Sequence, residues 1–90
     1  MTVLIVVYEL SNPGQNYDEI IRRIKAYGTW ARLGGSEYLI YTNSTPIQVR
    51  DNLKAALDTN DKLFVGTCVA PAAWTGYGAE TDEWIKSKVR

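Results

Sequence analysis

Apolar positions along the chain change period several times. "VLIVVY" (3–8) is apolar at both parities, Val3, Ile5 and Val7 alternating with Leu4, Val6 and Tyr8. A β-branched run of this kind predicts a central strand covered on both faces. "SNPGQN" (11–16) is turn chemistry. Asn16 and Glu19 then have the spacing of a capping box, and Tyr17, Ile20, Ile21, Ile24 and Tyr27 recur at helical spacing. A helix from Tyr17 with a left-handed stop at Gly28 follows.

The period next returns to two. "TWARL" (29–33) and "SEYLIYTN" (36–43) flank Gly34-Gly35, which predicts a hairpin whose glycines take positive φ. "TPIQVRDNLKAALD" (45–58) opens with Thr45 as N-cap and Pro46 as first helical residue, with Ile47, Val49, Leu53, Ala56 and Leu57 forming its apolar side. "KLFVGTCVA" (62–70) predicts a fourth strand with Gly66 as a weak point or bulge. Beyond it, "PAAWTGYGAE" (71–80) reads as a loop. "TDEWIKSKVR" (81–90) reads as a short helix, acids first and bases last.

This order predicts an α+β, ferredoxin-like βαββαβ domain over residues 1–70. Residues 71–90 form a C-terminal extension ending in a short helix, packed on the sheet or on a partner subunit. Two helices shield one face of a four-stranded sheet. Yet strands one, three and four pair large apolar residues at both parities: Val3 and Leu4, Leu39 and Ile40, Phe64 and Val65. The second face needs a cover, part of it from Trp74, Tyr77 and Trp84. The remainder predicts an isologous homodimer packed sheet to sheet, since several hundred wet Å² at roughly 25 cal/mol per Å² would forfeit several kcal/mol.

Composition narrows the chemistry. The 90 residues include one cysteine, Cys68, and no histidine. An internal disulfide, a thiolate cluster within one chain, and Ser-His or Cys-His nucleophile pairs are thereby excluded. Catalysis would have to rest on carboxylates, lysine, tyrosine or a hard cation such as magnesium. Ten basic residues balance ten acidic ones, so no net charge drives non-specific nucleic-acid binding. No segment approaches the roughly 20 apolar residues that span a bilayer. The absence of a basic n-region before Val3 points to a cytoplasmic protein without a membrane partner.

In their order, "VVYEL", "NPGQNYDEIIRRI", "GTWARLGGSEYLIYT" and "NDKLFVG" resemble small stand-alone relatives of CRISPR-associated protein two, a group that includes virulence-associated protein D. The resemblance covers roughly residues 2–69. It implies a ferredoxin-like homodimer, either a metal-dependent nuclease or a structural nucleic-acid binder. It also implies that Glu9, at the place of the family's strand-end aspartate, is the candidate catalytic carboxylate and magnesium ligand. The other reading of Glu9 is a polar residue at a strand end.

The remaining candidates come from residue chemistry. Trp30 and Arg32 share one face of a strand, where they would stack on a base and hold a phosphate. Trp74 and Tyr77 lie in a glycine-containing loop that would either close over a ligand or dock on the sheet. Asn12 and Gly14 supply turn groups to an anion at the dimer seam, alongside Trp30 and Arg32. The leading expectation is a homodimer that binds a nucleotide or nucleic acid without catalysis and without a required cofactor, sequestering a signalling nucleotide being one form. The alternatives are a magnesium-dependent endoribonuclease using Glu9 from both subunits, and a protein-interaction dimer pairing through an edge strand.

Overall fold

A computed structural model describes residues 1–12 and 17–90. The elements run β1 (Thr2–Glu9), α1 (Asp18–Lys25), β2 (Thr29–Gly34), β3 (Glu37–Thr42), α2 (Pro46–Lys54), β4 (Lys62–Thr67) and α3 (Ala79–Lys88). The strands form one sheet in the order β2-β3-β1-β4, every neighbouring pair antiparallel. The chain has the predicted ferredoxin-like α+β fold with an added C-terminal helix.

Both parities of β1 are used. Leu4, Val6 and Tyr8 point to the helix side, where they meet Ile20 and Ile24 of α1, Val49 and Leu53 of α2, and Tyr38 and Ile40 of β3. All nine are at most 2% exposed. Val3 points the other way, into a second cluster with Ala31, Leu39, Ile85 and Val89. The cover of that second face comes from the chain itself. Helix α3 lies over it and packs on β2, with Trp74 and Trp84 beside the buried residues. Two indole N–H groups fasten this roof: Trp84 Nε1 donates to Thr29 Oγ1 at 2.9 Å, and Trp74 Nε1 donates to Asp82 Oδ1 at 2.7 Å. The Lys86 ammonium, and after it the Trp74 indole, hold the Asp82 carboxyl below its ordinary pKa. The extension thus packs on its own sheet, and the area expected to require sheet-to-sheet pairing shrinks to the β4 side. There Ile5 and Val7 are half-buried and Phe64 is exposed.

Several local expectations are refined. Helix α1 has Tyr17 as N-cap without a side-chain cap bond; the capping residue expected at Asn16 lies outside the described residues. Gly28 does take the left-handed stop, at φ +101°. Gly34 and Gly35 do not have positive φ. The hairpin reaches its tight turn through a register shift between Arg32 and Gly34, and side chains satisfy the turn: Glu37 Oε2 accepts from the Ser36 amide at 3.0 Å. A β-carbon at 34 would stand 2.5 Å from that carboxylate oxygen, so a larger residue there would displace the Glu37 side chain from its bond to the turn.

Thr45 caps α2 as predicted, and reciprocal bonds with Gln48 complete a capping box. Ile47 departs from its expected core position and is 62% exposed beside β4. Gly66 is not a bulge, since the β1–β4 register is continuous from Leu4↔Thr67 to Glu9↔Lys62.

Two outcomes follow from this packing. Ile85→Ala, which cavitates the second core, is expected to lower unfolding stability by about 2–5 kcal/mol in urea titrations. Glu19 accepts hydrogen bonds from Arg22, its strongest influence, and from Arg23, and its carboxyl is pulled down from 4.5 to about 2. A depressed carboxyl stabilises the fold above its unfolded pKa, and that contribution is lost as pH falls through the folded value. Melting temperature should therefore decline between about pH 4.5 and 2, and Glu19→Gln should flatten that part of the profile.

Candidate functional site

The structure separates residues that the sequence grouped. Glu9 is exposed at the end of β1, in register with Lys62 of β4. Asn12 is exposed just beyond, and Gly14 lies outside the described residues. The loop leaving β1 is pinned by Asp61, whose Oδ1 accepts from the Ser11 amide at 2.9 Å and from the Ser11 hydroxyl at 3.1 Å, while its Oδ2 accepts from the Asp58 amide at 2.8 Å. Trp30 stands elsewhere. It pairs with Ile40, which pairs with Leu4, so Trp30 sits across β3 from the opposite end of β1.

Magnesium takes six oxygen ligands in near-octahedral order, and one carboxylate supplies at most two. No group of three or more metal-ligating side chains occurs among the described residues. Glu9 belongs to no such group in one copy, so a magnesium ion there would have to draw most of its oxygens from water, a bound ligand or a second copy.

Trp30 and Arg32 do belong together, on the helix-side face of β2 at the sheet's outer rim. The Lys25 ammonium lies 4.5 Å from the Trp30 ring centre, and Trp30 meets Tyr38 edge-on at 6.0 Å. Arg32 is fixed from two directions: Nε and Nη2 donate to the carbonyls of Gly34 and Gly35 at 3.0 and 3.1 Å, and the guanidinium carbon lies 5.3 Å from the Tyr38 ring centre. Its Nη1 has no hydrogen-bond partner among the described residues.

Trp74 and Tyr77 are on the other face of the sheet, in the roof. With Ile5, Leu33, Leu39 and Cys68 they border a narrow apolar cleft of about 150 Å³. Trp74 is docked there through Asp82, the second of the two roles the sequence allowed it. Tyr77 is 38% exposed.

A larger cleft wraps around the rim of β2. About 300 Å³ in volume, it is bordered by Trp30, Ala31 and Arg32 on the strand and by Glu80, Thr81 and Trp84 on α3. Sequence reading found the first tryptophan and the arginine. It missed Glu80 and Thr81, and gave Trp84 only a covering role. No local signal carries this, because Trp84 reaches the rim by a contact 55 residues away in sequence, at Thr29.

Beneath the rim lie two buried phenols. Tyr8 Oη contacts the Gly35 carbonyl at 3.4 Å, and Tyr38 Oη is buried with no hydrogen-bond partner among the described residues. Burial, reinforced by nearby Tyr38 and opposed by Arg32, pushes the Tyr8 phenol from 10.0 up to about 12. A phenol raised in the folded state stabilises the fold below its unfolded pKa, and this is lost as pH rises through the folded value. Stability should fall between about pH 10 and 12, and Tyr8→Phe should remove a late-ionising phenolate from the protein's ultraviolet titration. No protein-family model matches this chain, and no curated protein matches it either.

Proposed function

We propose that the chain is a nucleotide- or single-strand-binding module whose ligand enters the cleft at the rim of β2, and that it acts by holding the ligand without turning it over. One observation carries this reading: Trp30, Trp84 and Arg32 border the same open cleft. The two indoles offer flat apolar walls for a base, and every base has a π-face, so stacking tolerates any sequence. Arg32 is held rigid by two carbonyls and keeps Nη1 for a phosphate oxygen, with the Lys25 ammonium on the same face of β2. The Glu80 carboxylate is an acceptor for base amino or imino hydrogens.

The size suits a compact ligand. A cleft of about 300 Å³ is at the lower end of small-molecule sites, enough for a nucleoside and its first phosphate. The chain's zero net charge fits a local rather than a long-range attraction to an anion. This reading relocates the site expected at a dimer seam to a rim that one copy completes alone, and leaves Asn12 and Gly14 out of it. Sequestration of a signalling nucleotide remains a concrete form of the same proposal.

Titration with mononucleotides and short single-stranded RNA, followed by tryptophan fluorescence, is expected to quench saturably. Trp30→Ala should weaken binding by about tenfold or more, given ~1–3 kcal/mol per stacked base, while Trp30→Phe retains most of it. Arg32→Ala should weaken phosphorylated ligands and spare the nucleoside. Absence of quenching by every nucleotide at millimolar concentration would overturn the reading.

A further inference from the structure

The two rims of the sheet are finished differently. The rim of β2 borders α3 and its cleft, whereas β4 ends the sheet on the other side, away from α3. The Cys68 amide donates to the Val3 carbonyl at 2.8 Å, so the backbone of Cys68 faces β1. Antiparallel alternation then turns the backbones of Lys62, Phe64 and Gly66 inward and those of Leu63, Val65 and Thr67 outward. Protective devices common on such rims are missing: β4 has no proline and no bulge, and Lys62 at one end is its sole charge.

Apolar side chains flank this bare backbone on both faces. Phe64 is 63% exposed on the roofed face, and Ile47 of α2 is 62% exposed on the helix side. Ile47, Leu63 and Val65 border a cleft of about 220 Å³ between α2 and β4. The Phe64 ring leans along its own strand over Gly66, where a β-carbon would stand 3.0 Å from Cε1.

We propose that β4 is a self-association edge, where two copies of this chain join their sheets as antiparallel strands about a twofold axis through Val65. The occupant is a second copy because the strand is complementary to itself in that register. Val65 faces the partner's Val65, Leu63 faces the partner's Thr67, and every outward N–H and C=O meets a mate. Phe64 faces the partner's Gly66, so the two rings pass side by side over two glycines, in a groove that β-carbons would block. Lys62 falls opposite the partner's Cys68, and the nearby Arg50 is already paired with Asp51 at 2.9 Å, so like charges are not brought together. Phe64, Ile47 and the half-exposed Val69 bare on the order of a few hundred Å² of apolar surface per copy. With the backbone strip, this reaches the lower end of specific interfaces, near ~1,200 Å² in total, the size class of weak or transient pairs.

The arrangement is independent of the nucleotide cleft, which lies on the opposite rim. It also sets the two copies of Glu9 apart, since β4 intervenes between β1 and the axis and the paired strands run in opposite directions. A metal shared between the two carboxylates is incompatible with it.

Light scattering of the eluting protein over a range from about 1 to 500 µM tests this. The mass should rise from 10.1 kDa toward twice that value. Val65→Pro removes one outward amide without touching the β1 ladder and should hold the mass at the monomer. Phe64→Lys, which leaves the backbone unaltered, should do the same and covers the case in which the proline variant fails to fold. With Cys68→Ser as background, mild oxidation should cross-link Val65→Cys to itself faster than Phe64→Cys. A monomer at every concentration, a dimer indifferent to Phe64→Lys, or cross-linking at 64 in preference to 65 would each overturn the proposal as stated.

Discussion

The structure depends on one constraint: a four-stranded sheet whose central strands are apolar on both faces has to be covered twice by a chain of 90 residues. A domain this small leaves a large share of its surface wet, and no layer can be spared. Helices α1 and α2 satisfy the first face, bringing Ile20, Ile24, Val49 and Leu53 onto Leu4, Val6 and Ile40. The second face is met by α3, whose Ile85 lies with Val3, Ala31, Leu39 and Val89. Much else follows, including which rim carries a cleft, which rim is bare, and why tryptophans sit where they do.

What could be read from the sequence was whatever is set locally. The double parity of 3–8, the Thr45-Pro46 start of α2 and the stop at Gly28 each depend on a few neighbouring residues, and each stands in the structure. The hairpin differs in mechanism from its sequence expectation, because the turn at Gly34-Gly35 is organised by the side chains of Arg32 and Glu37 rather than by positive φ. Ile47 lies outside the core because helical periodicity gives a face and not its limits; at the first turn of α2 that face overhangs the sheet's rim. The need for a second cover was legible in Val3, Leu39 and Phe64. Its source was not, since a helix of modest amphipathicity at the chain's far end announces no target.

The rim of β2 shows how a site arises from such covering. Trp84 bonds Thr29 on the roofed face of β2, and the same indole becomes a wall of the cleft that Trp30 and Arg32 open from the other side. Arg32 serves twice, steadying the hairpin carbonyls and presenting charge at the cleft. Placement by structural bonds keeps that guanidinium preorganised, so under the proposed function little rotamer freedom would be left to lose on binding an anion. Glu9 has no comparable support among the described residues; it stands exposed at the end of β1, in register with Lys62.

The route of the tail has a kinetic side. The chain leaves the sheet at β4, yet α3 settles on β2, the farthest strand, and the bond from Trp84 to Thr29 closes a loop of 55 residues. Such closure gains nothing until the β2–β3 hairpin is already seated against β1, which makes docking of the terminal helix a late event in folding. In the interval, the underside bearing Val3 and Leu39 is uncovered, and a half-folded molecule is at its stickiest.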